Sequence, residues 1–176
     1  MSNVQTDLIK TSLADQIAAS LKMLQACVDQ CTDDLWETEP IGRCKYWEVA
    51  YHIAFYADLY LTPHINQYTS EPDWAWPNAA GLGHKMEPPF DPLKPEELGP
   101  VLDRTKVAQY LADTVAKLHR IIPSETDETL AGESGFFWYP INRLAMHLVN
   151  LRHIMHHTGQ LSAALRRNGI DIEWTA

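Results

Sequence analysis

Apolar positions along this chain recur with helical spacing. Residues 4–31 set Leu13, Ile17, Leu24, Val28 and Cys31 on one face of a 3.6-residue period, with Leu21 and Cys27 at its edges, and so predict a first long helix. TDDLW, residues 32–36, ends it with turn-forming side chains. A second helical pattern runs from about Tyr46 to Leu61, where Trp47, Ala50, Ala54, Asp58 and Leu61 share a side and Pro63 closes the run. A third spans about Asp103 to Ile122, with Val107, Leu111, Leu118 and either Ile121 or Ile122 facing inward and Pro123 as its stop. The fourth is predicted from near Pro140, a residue suited to a first helical turn, to Asn168. Gly169 follows its end, and Arg166 and Arg167 occupy its last turn.

Residues 70–100 break this pattern. Seven of the eleven prolines fall there, together with Trp74 and Trp76, and a long helix does not survive that density of proline. The segment reads as an extended insertion, and its aromatic content predicts that it packs on the body of the protein. Four long helical patterns, no convincing alternating strand and no internal repeat predict an all-α fold. The expected architecture is an antiparallel four-helix bundle, a single domain over residues 1–176, with a proline-rich insertion between helices two and three.

Composition narrows the function classes. A chain of 176 residues suffices for one domain with a real core. A formal net charge of −9, with Arg166-Arg167 the main basic cluster, argues against nucleic acid as a partner. The N-terminal stretch MSNVQTDLIKTSLADQ has no apolar signal core, and no apolar run reaches the length of a membrane span. Three cysteines, Cys27, Cys31 and Cys44, show no disulfide-framework spacing, so a cytoplasmic location is the expectation.

Candidate chemistry concentrates in LRHIMHHTGQL, residues 151–161. His153 and His157 are four apart on the fourth helix, so their Cβ atoms lie about 5–6 Å from each other on one face, a spacing that suits two imidazoles converging on one ion. His156 sits to one side of His153, either as an edge residue or as an alternative ligand. An isolated HxxxH carries little weight until another helix adds a third ligand. His52, within the apolar and aromatic YWEVAYHIAFY, is a candidate, although a histidine in such surroundings also suits a hydrogen-bonded core position. Three histidines from two helices would form the closed face of a Zn²⁺ or Ni²⁺ site with a position open to water or substrate.

The pattern Trp47-to-His52, followed by HIMHHTGQLSAALRRNG at residues 153–169, resembles the DinB-like (YfiT-like) family of metal-dependent four-helix bundles. The resemblance implies that His52, His153 and His157 bind one divalent metal, zinc or nickel, with His156 outside the triad. It also implies a homodimer and, from several members that are mycothiol-dependent maleylpyruvate isomerases or bacillithiol S-transferases, a low-molecular-weight thiol cosubstrate. The family commonly carries Arg after the second of these helix-four histidines, where this chain has Thr158.

Other residues complete the expected site. Glu48, one turn before His52, is a candidate to orient its ring, the alternative being a solvated charge. Asn150 and Gln160 share the histidine face and are candidates for ring orientation or substrate contact. Trp74, Trp76 and Tyr139 are candidates to wall an apolar substrate pocket. Cys27 and Cys31 read as core packing, and Cys44 as filler near the far wall of the site. His64, His84, His119 and His147 read as surface or packing residues, His147 being the one placed to approach the metal face. No HExxH, CxxCH, paired ExxH or Gly-rich phosphate loop occurs. Two functions follow as expectations: a metal-dependent enzyme that activates a thiol or water for a small-molecule substrate, or a non-catalytic metal-stabilised bundle serving as an interaction protein.

Overall fold

Four long helices carry the core: α1 (Val4–Gln30), α3 (Tyr46–Leu61), α4 (Arg104–Ser124) and α6 (Arg143–Arg167). Two short helices, α2 (Asp33–Thr38) and α5 (Asp127–Ala131), precede α3 and α6, and a hairpin of two-residue strands, β1 (Pro40–Ile41) and β2 (Cys44–Lys45), leads into α3. The computed structural model describes residues 4–69 and 72–175; residues 70 and 71, at the start of the expected insertion, lie outside the described residues. The protein is predominantly helical, as the periodicity predicts. No described helix is long and apolar enough to cross a membrane.

Helix boundaries follow local hydrogen bonding, and three differ from the expectations. The stretch TDDLW is helical: Thr32 Oγ1 accepts from Leu35 N at 3.3 Å, and Asp33 and Asp34 complement the exposed N–H groups of the first turn. Helix α4 runs through Pro123 to Ser124, because a proline this near the end removes a single hydrogen bond from a helix about to stop. Its start is fixed by Asp103, whose Oδ1 accepts from Thr105 N at 2.7 Å and Lys106 N at 3.3 Å. Helix α6 starts at Arg143 and not near Pro140, since Asn142 Oδ1 accepts from Ala145 N at 2.8 Å and sets the first turn three residues later.

Helix α1 packs against α4 and α6, and α3 packs against the same two, so the four helices close in the cyclic order α1–α4–α3–α6. Ile17, Leu21 and Leu24 of α1, Ala50, Ile53 and Leu61 of α3, Val107, Leu111 and Leu118 of α4, and Met146, Ile154 and Leu161 of α6 fill the centre. Helix α3 is buried on nearly every side, and only His52 and Tyr56 along it are half-buried. Its remaining face is covered by the proline-rich connection between α3 and α4, whose turn at Ala79–Gly81 packs directly against it. That connection holds short 3-10 turns at Ile65–Gln67, Ala79–Gly81 and Pro95–Glu97, and no long helix among its described residues.

Two buried polar clusters fix α3 against its neighbours. Asp58 forms an ion pair with Lys117 of α4 at 2.6 Å and accepts from Tyr110 Oη at 2.8 Å. At the end of α3 the Arg143 guanidinium donates to the carbonyls of Tyr60, Leu61 and Thr62 at 3.0, 2.9 and 3.0 Å and to Glu125 Oε1 at 3.0 Å. The last carbonyls of a helix lack intrahelical partners, so a buried cation supplies both hydrogen bonds and a charge of the favourable sign. This clamp ties the C-terminus of α3 to the N-terminus of α6 and holds the faces of both helices in register.

Candidate metal centre

With α3 and α6 side by side, His52 faces His153 and His157. The three ring centroids form a triangle with every side 4.9 Å. One nitrogen of each imidazole lies within 4.8 Å of one nitrogen of each of the others, and His52 Nε2 and His153 Nε2 are 2.9 Å apart.

Two rings are held by their other nitrogen. His52 Nδ1–H donates to the Ala80 carbonyl at 2.6 Å, and His157 Nδ1–H donates to Gln160 Oε1 at 2.8 Å. Each acceptor holds the proton on Nδ1 and turns the Nε2 lone pair toward the centre of the triangle. His153 Nδ1 is buried without a partner. Burial pushes the imidazole pKa of His52 down to about 4 and that of His153, helped by the neighbouring histidines, down to about 3. Burial also lowers His157, against the opposing hydrogen bond to Gln160. Neutral imidazoles with inward lone pairs are the form in which histidine ligates a metal, so the donor set fits a divalent cation. The three donor nitrogens lie within 4.8 Å of one another, near enough that side-chain adjustments would bring them to one cation.

Aromatic side chains build the wall beside the triangle. Tyr56 and Tyr60 follow His52 at four and eight residues, which places all three on one stripe of α3. The Tyr56 ring centroid is 4.7 Å from that of His52 and 5.4 Å from that of His153, and its hydroxyl donates to Met86 Sδ at 3.7 Å. Tyr60 contacts His153 at 6.3 Å and Tyr139 at 6.0 Å. Neither tyrosine stands out from the aromatic background of the sequence, although their spacing from His52 is the signal that finds them.

The remaining residues named from the sequence take varied positions. Gln160 holds His157. Glu48 is buried and turned away from His52: its Oε2 accepts from Lys45 N at 2.7 Å and closes the first turn of α3, so the ring-orienting partner is the Ala80 carbonyl. Asn150 is fully buried and donates from Nδ2 to the Ala57 carbonyl at 3.1 Å, bridging α6 to α3. Trp74 packs on Tyr51 and Tyr110, and Trp76 packs edge-on against Trp47 at 6.1 Å, so both anchor the connection to the helices. Tyr139 reaches the triad through Tyr60. His156 is exposed, its ring 4.7 Å from that of His157, and it is not in the three-nitrogen cluster. His147 is held elsewhere, its Nε2–H donating to Glu125 Oε1 at 3.2 Å within the buried Arg143 cluster. Burial raises the thiols of Cys27 and Cys44 to about 11 and that of Cys31 to about 12, in keeping with packing roles.

Neither the curated proteins nor the solved structures yield a match to this chain. A family model described as the DinB superfamily matches residues 16–161, a span that includes the three clustered histidines and all of α3 and α4. The match covers most of the sequence, and the protein belongs to the DinB superfamily.

Proposed function

We propose that the protein is a metal-dependent enzyme whose His52, His153 and His157 hold one divalent cation, zinc or nickel, beside a small-molecule site. The observation that carries this reading is the convergence of three imidazole nitrogens within 4.8 Å from two helices, in a chain of a metal-associated family. A cation bound by three neutral imidazoles retains a position for an exogenous ligand and lowers the pKa of a thiol or water placed there. The chain's own residues set the conditions. Ala80 and Gln160 orient two rings, and Tyr56 and Tyr60 present aromatic faces that keep bulk water from the His52 and His153 side. Tyr139, at the outer end of this wall, is placed to contact substrate.

A low-molecular-weight thiol as cosubstrate, and S-transfer or thiol-assisted isomerisation as the reaction, belong to the same proposal; water in place of the thiol gives hydrolysis. So do an antiparallel arrangement of the four long helices within a single domain, a proline-rich insertion between α3 and α4, a homodimer and a cytoplasmic location. The competing reading is a non-catalytic bundle whose cation joins α3 to α6, and the aromatic rings packed against His52 and His153 favour it. Elemental analysis of wild type and His52→Ala tests the site, and a scan of thiols against electrophilic acceptors, with and without chelator, tests catalysis. Stoichiometric metal with chelator-sensitive turnover is the expected outcome. Stoichiometric metal with every coordination position filled by protein and no turnover selects the non-catalytic bundle.

A further inference from the structure

Trp74, Trp76 and the run of prolines around them give the α3–α4 connection an elaborate construction for a simple covering segment. Ala79 and Ala80, each 3% exposed, are among its most buried residues, and they form the turn that touches α3. We propose that this connection is the positioning element for His52: its Ala79–Gly81 turn delivers the Ala80 carbonyl that fixes which imidazole nitrogen faces His153 and His157. The inference rests on the three-imidazole site proposed above and adds a function for a segment outside the ligand helices.

Helix α3 offers His52 Nδ1 no acceptor of its own from Glu48, one turn earlier, because that carboxylate is engaged by Lys45 N at the start of the helix. The acceptor comes instead from 28 residues downstream, at 2.6 Å. A carbonyl can only accept, so it holds the proton on Nδ1 without placing a negative charge beside the site.

The turn that presents this carbonyl is fixed at both ends. Asn78 (φ +68°) and Leu82 (φ +50°) flank it in left-handed conformations, a region that asparagine tolerates better than most side chains. Ala79 N donates to the Trp76 carbonyl at 3.0 Å, Gly81 N to the Asn78 carbonyl at 2.8 Å, and Met86 N to Asn78 Oδ1 at 2.7 Å. Met86 in turn accepts from Tyr56, so the segment also holds the aromatic neighbour of His52. Farther along, Trp76 Nε1 donates to the Pro100 carbonyl at 3.0 Å, and the ring lies so close over Gly99 that a Cβ there would stand 2.3 Å from Trp76 Cγ. Gly99 and Trp76 therefore seat the turn from a distance, with no contact of their own to His52 among those described.

Three variants separate positioning from mere cover. Asn78→Ala removes the Met86 hydrogen bond and the tolerance for a left-handed backbone, Asn78→Asp keeps an acceptor at the same place, and Gly99→Ala displaces Trp76. The first readout is the His52 tautomer in metal-free protein, by long-range ¹H–¹⁵N correlation. The second is zinc affinity by chelator competition. Wild type and Asn78→Asp are expected to hold the proton on Nδ1. Asn78→Ala and Gly99→Ala are expected to show mixed tautomers and zinc affinity about 10–100-fold weaker, the usual cost of losing a ligand's outer partner. If Gly99→Ala does not fold, Trp76→Phe, which removes the indole donor to Pro100 and part of the ring packed over Gly99, takes its place. Unchanged tautomer and affinity in folded Asn78→Ala and Gly99→Ala overturn the proposal. A His52 tautomer that shifts in these variants, when even the wild type binds no zinc, upholds the positioning role and rejects the metal reading.

Discussion

His52 Nε2 and His153 Nε2 stand 2.9 Å apart although 101 positions separate the two residues in the chain. With the His52 proton committed to Ala80, its Nε2 presents a lone pair, and a second lone pair at this distance is tolerable only with a proton or a cation between them. Without metal, His153 Nε2–H meets that need by donating to His52, which leaves His153 Nδ1 as the buried atom without a partner. A cation lets both Nε2 atoms serve as ligands and gives His153 the same inward lone pair as His52 and His157. Removing one ligand should therefore weaken binding by more than the ~10–100-fold typical of outer partners. Zinc competition with a chelator is expected to show that loss for His153→Gln. His156→Gln, which alters an exposed ring outside the three-nitrogen cluster, should bind as tightly as wild type.

Among the described contacts, Gln160 acts on the site through His157. Gln160→Leu removes the acceptor for Nδ1–H and is expected to lower zinc affinity about 10–100-fold with the helix content unchanged. Gln160→Glu keeps an acceptor of greater strength and should bind at least as tightly as wild type. Equal affinity for the Leu and Glu variants would show that the hydrogen bond does not orient the ring.

The folded metal-free protein resists protonating its histidines, which fixes the direction of its pH dependence. Burial holds His52 at about 4 and His153 at about 3, against an ordinary value near 6.5. Below about pH 6.5 the unfolded chain takes up protons that the folded rings refuse, so stability falls with pH and levels off only as the folded rings titrate. Urea unfolding between pH 7 and 5 should show this decline in metal-free wild type and a shallower one in His153→Gln. Parallel profiles for the two proteins would contradict it.

Arg143 is the residue whose loss should cost most stability away from the histidines. Arg143→Leu strands three carbonyls at the end of α3 and leaves Glu125 buried without its guanidinium. A broken buried pair of this kind typically costs about 3–5 kcal/mol, measurable by urea unfolding at pH 7. Arg143→Lys should recover only part of that, because an ammonium cannot fork to the same acceptors. Burial alone would raise the Glu125 carboxyl, but the His147 hydrogen bond and the Arg143 charge outweigh it and hold it at about 2. Its contribution is therefore present above the ordinary carboxylate range and is lost as pH falls toward 2.

Most of what the sequence disclosed followed from periodicity. Helical spacing located the four long helices, and the four-residue step from His153 to His157 put two of the three clustered rings on one face. His52 depended on the family resemblance, since one histidine in an apolar helix has two plausible uses. Gln160 was readable because three residues along a helix bring side chains together. Ala80 was not, because its contribution is a backbone carbonyl, which every residue type possesses. Spacing left Glu48 as either a ring partner or a solvated charge, and the Lys45 N–H at the start of α3 claims its carboxylate instead. The tryptophans announced that the connection packs on the protein without announcing where, and their anchoring of Ala80 depends on contacts between distant segments.

X-ray absorption spectroscopy on the zinc-loaded protein tests the central claim most directly, because imidazole rings have a distinct scattering signature. Three imidazoles at about 2.0–2.1 Å with one further oxygen or nitrogen is the expected first coordination sphere. Zinc bound through fewer than three imidazoles would contradict the assignment of His52, His153 and His157 to a single cation.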